Sequence, residues 1–219
     1  KFNQTYPTDL KYTEWQQIAE FFPTFQMGRP PKWEKWQVIN AILYVNRTGC
    51  QWRMLPVNFP PWRTVYFYYW SWQRDGVWQR INDVLVKKVR KQAGRHERPS
   101  AAVMDSQSVK TSEGGEERGV DVHKQTPGRK RHLVVDVLGL VLLVVVHSAS
   151  IQDGAGGLLT LQTLFDHIKH NLHNRWCRLK LIWADGGYPS IMDVVRQRFG
   201  WTLQIVKRSD DVKGFQVLP

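Results

Sequence analysis

Two aspartates in the second half of the sequence, Asp105 and Asp185, each follow a short apolar segment with the composition of a β-strand. If the two strands are parallel neighbours, both carboxylates emerge at one edge of the sheet. Carboxylate oxygens are the ligands that Mg²⁺ and Mn²⁺ prefer, and such a cation activates water or a 3′ hydroxyl and stabilises a leaving 3′ oxygen. A single Asp at a strand end more often caps a loop, so the prediction depends on the pair.

The elements that must position these aspartates follow from the apolar pattern beyond residue 100. The pattern predicts three strands, a helix, a strand, a helix and a strand, with Leu138 and Gly139 as the turn of a hairpin. The predicted elements are strands 101–105, 131–137 and 140–147, helix 153–172, strand 179–183, helix 191–199 and strand 201–206. This order matches an α/β, ribonuclease H-like mixed sheet, in which a helical crossover makes the strands ending at Asp105 and Asp185 parallel neighbours.

The first half of the sequence predicts four helices. Apolar residues recur at helical spacing over residues 13–22, 36–48, 62–75 and 77–93, with Gly and Pro turns between them. Short helices joined in this way are typical of a helix-turn-helix module. Residues 94–100 have the composition of a linker. We therefore expect a helical, Trp-rich domain over residues 1–95 and an α/β domain over residues 96–219, which lacks a C-terminal helix.

Charge is concentrated in the first half. The chain has a formal net charge of +12, and residues 1–100 contain 16 basic and 7 acidic side chains. This excess favours a polyanionic partner such as DNA, and a solubilising surface is the alternative interpretation. Eight of the 11 Trp lie in residues 1–78 and are mainly expected in the core, because a small helical domain needs large apolar side chains. The Arg residues interleaved with them are better candidates for phosphate contacts: Arg47, Arg53, Arg63 and Arg74.

Other protein classes are excluded by composition. No apolar run approaches the roughly 18 residues of a transmembrane helix, and the N-terminus has no secretory signal pattern. Cys50 and Cys177 are far apart and lack metal-binding spacing, which is typical of thiols in a reducing cytoplasm. These observations predict a cytoplasmic protein without a membrane segment.

Further polar residues around the predicted hairpin leave alternatives open. The basic run Arg129, Lys130 and Arg131 either contacts phosphates near the reacting bond or forms a solvated hairpin end. Asp136 either pairs with a basic neighbour or binds metal, and Asp153 either caps the following helix or takes part in metal binding or DNA positioning. The histidines of this region, His123, His132 and His147, have no metal-ligand spacing and are expected to be structural.

Several ordered motifs resemble one known family. In the second half these are VMDSQSVKT at 103–111, GRKRHLVVD at 128–136, HSASIQD at 147–153 and ADGGY at 184–188. In the first half they are GRP at 28–30, NAILYV at 40–45, RTGCQWRMLP at 47–56 and the segment 70–78. In order and spacing they resemble DDE transposases of bacterial insertion sequences, in the insertion sequence five group of the insertion sequence four superfamily. The resemblance covers nearly the whole chain.

The resemblance implies a function and a set of site residues. It implies a DNA transposase that binds insertion-sequence ends, cleaves them with Mg²⁺ or Mn²⁺ and joins them to target DNA. Asp105 and Asp185 match the first two acidic ligands of the family's triad. The third, a Glu on a helix, is expected just beyond Pro219, and Asp210 and Asp211 are poor substitutes because they lie in a polar, basic loop. Since two element ends are paired before joining, a homodimer is expected.

Two rival functions remain at the level of the sequence. One is a truncated or repurposed transposase that binds DNA without catalysis, and the other is a nuclease of the same fold that cuts without joining. Strand cleavage of end DNA in the presence of Mg²⁺ or Mn²⁺ distinguishes the non-catalytic class from the two enzymes.

Overall fold

The computed structural model describes residues 4–23, 31–111, 117–171 and 178–206. The chain divides into two compact units, Lys1–Val84 and Leu85–Pro219. This division falls inside a helix, ahead of the linker at residues 94–100 that the composition indicates as the boundary. The C-terminal part of that helix belongs to the second unit, where Arg90 is buried against Asp136. The motif residues 28–30, Cys177, Asp210 and Asp211 lie outside the described residues.

All four helices predicted in the first half are present. They are α1 (Tyr12–Ile18, extended by a 3-10 turn at Ala19–Phe21), α2 (Lys35–Thr48), α3 (Trp62–Arg74) and α4 (Val77–Gln92), with a further 3-10 turn at Trp52–Met54. Gly49 ends α2 with φ of 68°, a left-handed conformation that favours glycine. The helix ends were therefore readable from the turn residues.

Aromatic packing forms much of the core of the first unit. Trp72 of α3 is 3% exposed, and its ring lies 4.6 Å from that of Phe22 and 6.1 Å from that of Trp78 in edge-on arrangements. The expectation that most Trp are core residues holds for Trp72. Trp70 on the same helix is an exception, because it is 50% exposed.

A six-stranded mixed sheet and two helices form the second unit. The strands are β1 (Ala101–Lys110), β2 (Gly119–Asp121), β3 (Thr126–Asp136), β4 (Val141–Ser148), β5 (Leu181–Ala184) and β6 (Thr202–Ile205). The helices are α5 (Asp153–Asn171) and α6 (Met192–Phe199), the latter preceded by a 3-10 turn at Pro189–Ile191. The strand order is β2-β3-β1-β5-β6, and β4 also pairs with β3. Strands β1, β5 and β6 are parallel to one another, whereas β3 is antiparallel to β1, β2 and β4.

Strand β1 differs from the sequence prediction. It was expected to end at Asp105, but it continues to Lys110 because β3 pairs with it along nearly its whole length. The short strand β2 was not predicted, and β3 begins at Thr126, ahead of the expected start at residue 131. These longer polar strand segments have no apolar alternation, so the apolar pattern could not predict them, and hydrogen bonding to a neighbouring strand maintains them.

Helix α5 packs on one face of the sheet. The core there joins residues of the strands, among them Met104, Val134 and Ile182, to Leu161 and Leu164 of the helix. Two glycines allow the N-terminal turns of α5 to approach the sheet closely. A Cβ at Gly156 would lie 2.5 Å from the rings of both His132 and His147, and one at Gly157 would lie 2.7 Å from the Tyr188 ring. The described helices include none that is long and apolar enough to cross a membrane.

Candidate active site

The sheet register brings Asp105 and Asp185 together. Strands β1 and β5 are parallel neighbours, and their last paired residues are Met104 and Ala184. Asp105 and Asp185 are the next residue of each strand, so they occupy adjacent positions where this pairing ends. Neighbouring strands lie roughly 4.8 Å apart. The predicted juxtaposition therefore has a basis in the backbone, although Asp105 lies within a long strand rather than at its end.

Both carboxylates are exposed and are oriented by local backbone amides. Oδ1 of Asp105 accepts a hydrogen bond from the Ser106 N–H at 2.7 Å, and Oδ1 of Asp185 accepts one from the Gly187 N–H at 3.0 Å. Among the described residues, neither carboxylate has a Lys or Arg within ion-pair distance. The two negative charges are thus held side by side without a counterion from the described part of the chain.

Asp153 lies beside this pair at the start of α5. Its Oδ1 accepts hydrogen bonds from Ser106 Oγ at 3.1 Å and from Lys130 Nζ at 2.9 Å, rather than from a helix amide as an N-cap would. Its Oδ2 and the Oδ1 of Asp185 both lie 3.3 Å from the position of a Cβ built on Gly187. Asp153 is therefore bonded to the strand that bears Asp105 and lies beside the loop that bears Asp185.

Lys130 is an internal cation. Its side chain is 3% exposed, and Nζ lies 3.1 Å from Asp121 and 2.9 Å from Asp153. Burial lowers the pKa of Lys130, but the hydrogen bonds and charges of the two aspartates outweigh burial and raise it overall. The sequence-based assignment of Lys130 to DNA is therefore corrected, because its ammonium group is enclosed by two carboxylates.

The two aspartates that face Lys130 stay ionised for the complementary reason. Burial raises the pKa of Asp121, but hydrogen bonds from Ser108, the Lys124 backbone and Lys130 outweigh burial and hold it well below its usual range. Burial also raises the pKa of Asp153, but the hydrogen bond and charge of Lys130 outweigh burial. The pKa of Asp153 is therefore lowered as well. The group is a buried, fully charged cluster next to the exposed pair.

A histidine pair packs beneath α5. Nδ1 of His147 lies 2.8 Å from the Ser148 carbonyl oxygen and therefore carries the proton, so His147 Nε2 accepts from Nδ1 of His132 at 2.9 Å. Nε2 of His132 is buried without a hydrogen-bond partner in the described part of the chain. Burial, and then His147, lower the pKa of His132 to about 4. The structural role expected of His132 and His147 is consistent with this buried, packed pair.

Tyr188 closes the interior side of the site. The side chain is fully buried, and its hydroxyl has no hydrogen-bond partner among the described residues. Burial raises the pKa of Tyr188, the neighbouring Ser106 side chain acts in the opposite direction, and the charges of Asp153, Asp185 and Asp105 add to the rise. No role was predicted for Tyr188 or Ser106 from the sequence, although both belong to the motifs ADGGY and VMDSQSVKT. Alternation along β1 places Ser106 on the same side as buried Met104, and this was the available signal.

Asp136 is a structural residue. It is 1% exposed and pairs with Arg90 of α4, while its Oδ1 accepts the N–H groups of Leu138 and Leu140 at 2.9 Å each. Of the two alternatives open at the sequence level, pairing with a basic residue is the one observed. The partner comes from a preceding helix rather than from the neighbouring basic run.

The remaining predicted DNA contacts are all exposed. In the first unit Arg47 lies in the last turn of α2, Arg53 in the turn before α3, and Arg63 and Arg74 near the two ends of α3. In the second unit Arg129 and Arg131 alternate with buried Lys130 on β3, and Arg131 donates to Oε1 of Gln107 at 2.9 Å.

The fit of a divalent cation rests on the donor set. Asp105 and Asp185 offer hard, ionised oxygens at adjacent positions, and the hydrogen bonds of the described residues engage Oδ1 of each, so Oδ2 is available. No three His, Cys, Asp or Glu side chains within residues 4–23, 31–111, 117–171 and 178–206 are grouped to bind one ion. Asp105 and Asp185 therefore fit part of the ligand set of a divalent cation. The expected third carboxylate and the substitutes Asp210 and Asp211 lie outside those ranges.

Comparison with known proteins identifies the family. Residues 96–218 match the family described as "Transposase DDE domain", which is more than half of the chain, and residues 10–82 match "Putative transposase of IS4/5 family". The chain belongs to the family of transposase DDE domains. The family resemblance inferred from the motifs is thereby confirmed.

Two curated relatives resemble part of the chain. An uncharacterised 16.2 kDa protein of the insertion element IS402 from Burkholderia cepacia is 33% identical over 95 residues, which cover 41% of this chain and 57% of the relative. The uncharacterised protein y4sN of Sinorhizobium fredii (strain NBRC 101917 / NGR234) is 30% identical over 80 residues, 36% of this chain and 64% of the relative. The chain thus spans less than two thirds of the length of these relatives. No solved structure matches the chain.

Proposed function

We propose that this protein is a DNA transposase that binds the ends of an insertion sequence and performs metal-dependent strand cleavage and transfer, with Asp105 and Asp185 as metal-binding catalytic carboxylates. The observation that carries the proposal is the register of β1 and β5, which makes these two exposed, unpaired carboxylates neighbours. Adjacent like charges without a counterion in the described chain repel each other, and a cation bound between them would relieve that repulsion. The family membership supports DNA as the substrate.

The strand order supports a ribonuclease H-like fold. The central path β4-β3-β1-β5-β6 consists of an antiparallel hairpin, a long first strand and two parallel strands reached through α5 and α6. This is the arrangement that the sequence analysis expected from the order of elements. In this arrangement Asp105 lies on the central strand β1, and Asp185 directly follows β5, the parallel neighbour of β1.

In the proposed mechanism, neighbouring residues hold the two carboxylates in place before DNA binds. A bound Mg²⁺ or Mn²⁺ would supply Lewis-acid activation of the attacking and leaving oxygens. Amides of Ser106 and Gly187 orient the two carboxylates, and Asp153 accepts a hydrogen bond from Ser106, the residue next to Asp105. Lys130 offsets one of the two negative charges of Asp153 and Asp121, which reduces what this cluster adds to the repulsion at the exposed pair.

Exposed arginines are proposed to hold the DNA backbone. Arg129 and Arg131 lie on the same sheet as the carboxylates, and the first unit contributes Arg47, Arg53, Arg63 and Arg74. Phosphate contacts of this kind make binding fall steeply as salt rises. A homodimer that pairs two element ends remains part of the proposal.

The test is strand cleavage of labelled element-end DNA with Mg²⁺ or Mn²⁺. With the chain extended by the Glu-bearing helix expected beyond Pro219, we expect cleavage and a loss of roughly a thousandfold or more in Asp105→Asn and Asp185→Asn, because metal-ligand carboxylates support several kcal/mol of transition-state stabilisation. Asp193→Asn, on exposed helix α6, is the matched control. Undiminished cleavage by either Asn variant contradicts the site assignment. Salt-dependent DNA binding without cleavage by the unsubstituted chain would favour the non-catalytic class.

A further inference from the structure

Helix α3 presents a face on which aromatic rings lie between arginines. Arg63, Tyr66, Phe67, Trp70 and Arg74 are all exposed, and their spacing places them on one side of the helix. The opposite side carries the buried residues of α3, which are Val65 and Trp72. We refer to these five exposed residues as the basic-aromatic face.

The rings of this face are unusual for a surface helix. The outward side of such a helix is ordinarily polar, yet Tyr66, Phe67 and Trp70 are 45%, 58% and 50% exposed. They are neighbours at spacings of one, three and four residues, so they form one patch rather than scattered side chains. A contiguous exposed apolar patch with a polar rim is typical of a binding surface.

The charges around the patch select a polyanion as the partner. Arg74 lies 4.9 Å from the Trp70 ring, and Arg53 and Arg63 each lie 5.5 Å from the ring of Trp62 at the start of the helix. Asp75 pairs with Arg74, but both side chains are well exposed. An exposed ion pair contributes little and can be exchanged for a phosphate. The face is therefore positively charged at both ends.

The rings determine which part of a nucleic acid fits between those charges. An arginine side chain binds a phosphate group, whereas an aromatic ring does not. The bases inside a closed duplex are already stacked on one another. Bases outside the stack expose their faces, and stacking them on aromatic side chains is favourable irrespective of sequence. Arginine lying on a ring enlarges the same stacking surface.

We infer that the basic-aromatic face of α3 binds DNA bases that have left the duplex stack, with its arginines on the adjoining phosphates. The inference rests on the proposed function, since it takes DNA as the substrate. It adds a preference for opened over fully paired DNA, and it assigns that preference to the first unit rather than to the carboxylate site.

The experiment measures binding of the full 219-residue chain to two fluorescent probes: a closed duplex, and the same duplex with a stretch of mismatched bases. Trp70→Ala and Phe67→Ala should each weaken binding to the opened probe by roughly tenfold, within the range measured for loss of one stacked base. Binding to the closed duplex should change by less than about twofold, because the phosphate contacts remain.

Two substitutions of Trp70 separate stacking from apolar contact. Trp70→Tyr keeps a ring face and should retain most of the preference for the opened probe, whereas Trp70→Leu keeps apolar area without a ring and should lose it. Val57→Ala, which truncates a side chain that is 99% exposed in the same unit, is the control and should leave both affinities unchanged. Thermal melting verifies that each variant is folded.

The outcomes distinguish this inference from the proposed function. Equal losses on both probes, no loss in the ring variants, or full rescue by Trp70→Leu would each overturn the stacking role while leaving DNA binding intact. A change in sedimentation of the free protein, with unchanged DNA binding, would show that the face joins two copies of the chain and would also overturn it. No binding of either probe by the unsubstituted chain would overturn both proposals.

Discussion

In the second unit, the aspartates around Lys130 and Arg90 differ in their ion pairs from the exposed aspartates Asp105 and Asp185. Asp121, Asp136 and Asp153 each have a Lys or Arg partner, and the side chains of Asp121 and Asp136 are almost fully enclosed. Asp105 and Asp185 are exposed and have no such partner among the described residues. The chain therefore supplies its own counterions where the fold depends on them, and leaves two adjacent charges to be compensated from solution.

The difference separates stability from function within one small region. An ionised group that is buried without a partner is costly, so the internal pairs must be complete for the unit to fold. Exposed carboxylates are solvated by water and contribute little to folding. Substitutions in the two groups should thus have effects of different kinds, and the four predictions below run from the largest expected effect on stability to the smallest.

Lys130→Met should have the largest effect, because it leaves both Asp121 and Asp153 without their cation. We expect the free energy of unfolding of the second unit to fall by about 5 kcal/mol, as measured by urea denaturation. Arg131→Gln is the matched control on the same strand and should change it by less than about 0.5 kcal/mol. In DNA titrations at several salt concentrations Arg131→Gln should lower the salt dependence by roughly one phosphate contact. A small stability loss in Lys130→Met would contradict the internal-cation assignment.

Arg90→Met should cost about 3 to 4 kcal/mol, since it leaves Asp136 buried and unpaired. Adding Asp136→Asn should recover most of the loss, because an amide oxygen still accepts the Leu138 and Leu140 amides without carrying charge. Lys91→Met is the control on the same helix, where the ion pair with Glu97 is exposed and contributes at most about 1 kcal/mol. Chemical denaturation of the single and double variants measures the coupling. Additive losses would show that Arg90 and Asp136 do not act as a pair.

His132 should make stability depend on pH between about 6.5 and 4. In the unfolded chain a histidine gains a proton as pH falls below about 6.5, whereas the folded pKa of His132 is lowered to about 4. The unfolded state therefore binds more protons in this window, and folding stability decreases as pH falls, by an amount on the order of 3 kcal/mol. The measurement is urea denaturation at several pH values.

Two variants test the origin of that slope. His132→Asn should flatten it, while His170→Asn, which changes an exposed histidine of α5, should leave it unchanged. Lys130, Asp153 and His147 face His132, but the two aspartates bound to Lys130 have lowered pKa values and protonate only at lower pH. An unchanged slope in His132→Asn would assign the pH dependence elsewhere.

Asp105→Asn and Asp185→Asn should have the smallest effect on folding. Removing one of two repelling, exposed charges should change the free energy of unfolding by less than about 0.5 kcal/mol. Added Mn²⁺ should raise the melting temperature of the unsubstituted protein, because a ligand that binds only the folded state stabilises it. The shift should be lost in both variants. A Mn²⁺-dependent shift that survives in both would place the cation at another site.

Much of the architecture was predictable from local sequence. The four N-terminal helices were evident from apolar spacing and from residues such as Gly49 and Pro61, because helix ends require particular backbone conformations. The hairpin of β3 and β4 and the final strand-helix-strand segment were evident for the same reason. The motif resemblance identified Asp105 and Asp185, and the parallel register is consistent with that prediction.

Partners that are distant in sequence could not be predicted. A run of three basic residues suggested a single DNA-contacting segment, yet Lys130 points inward and its two neighbours are exposed. The alternation with Val134 was a signal for this orientation, because successive side chains of a strand lie on opposite faces. The alternation could not show that Asp121 and Asp153 are the groups that pair with Lys130.

The sequence by itself determined which residues can do chemistry and which segments form helices and strands, since these depend on residue type and on spacing within one element. Only the tertiary structure decided which charges are neutralised. Arg90 pairs with Asp136, which is 46 residues away in the sequence, and Ser106 donates a hydrogen bond to Asp153, which is 47 residues away. Whether a carboxylate is a structural ion or an available ligand depends on what other elements bring to it, because burial and counterions are properties of packing rather than of local sequence.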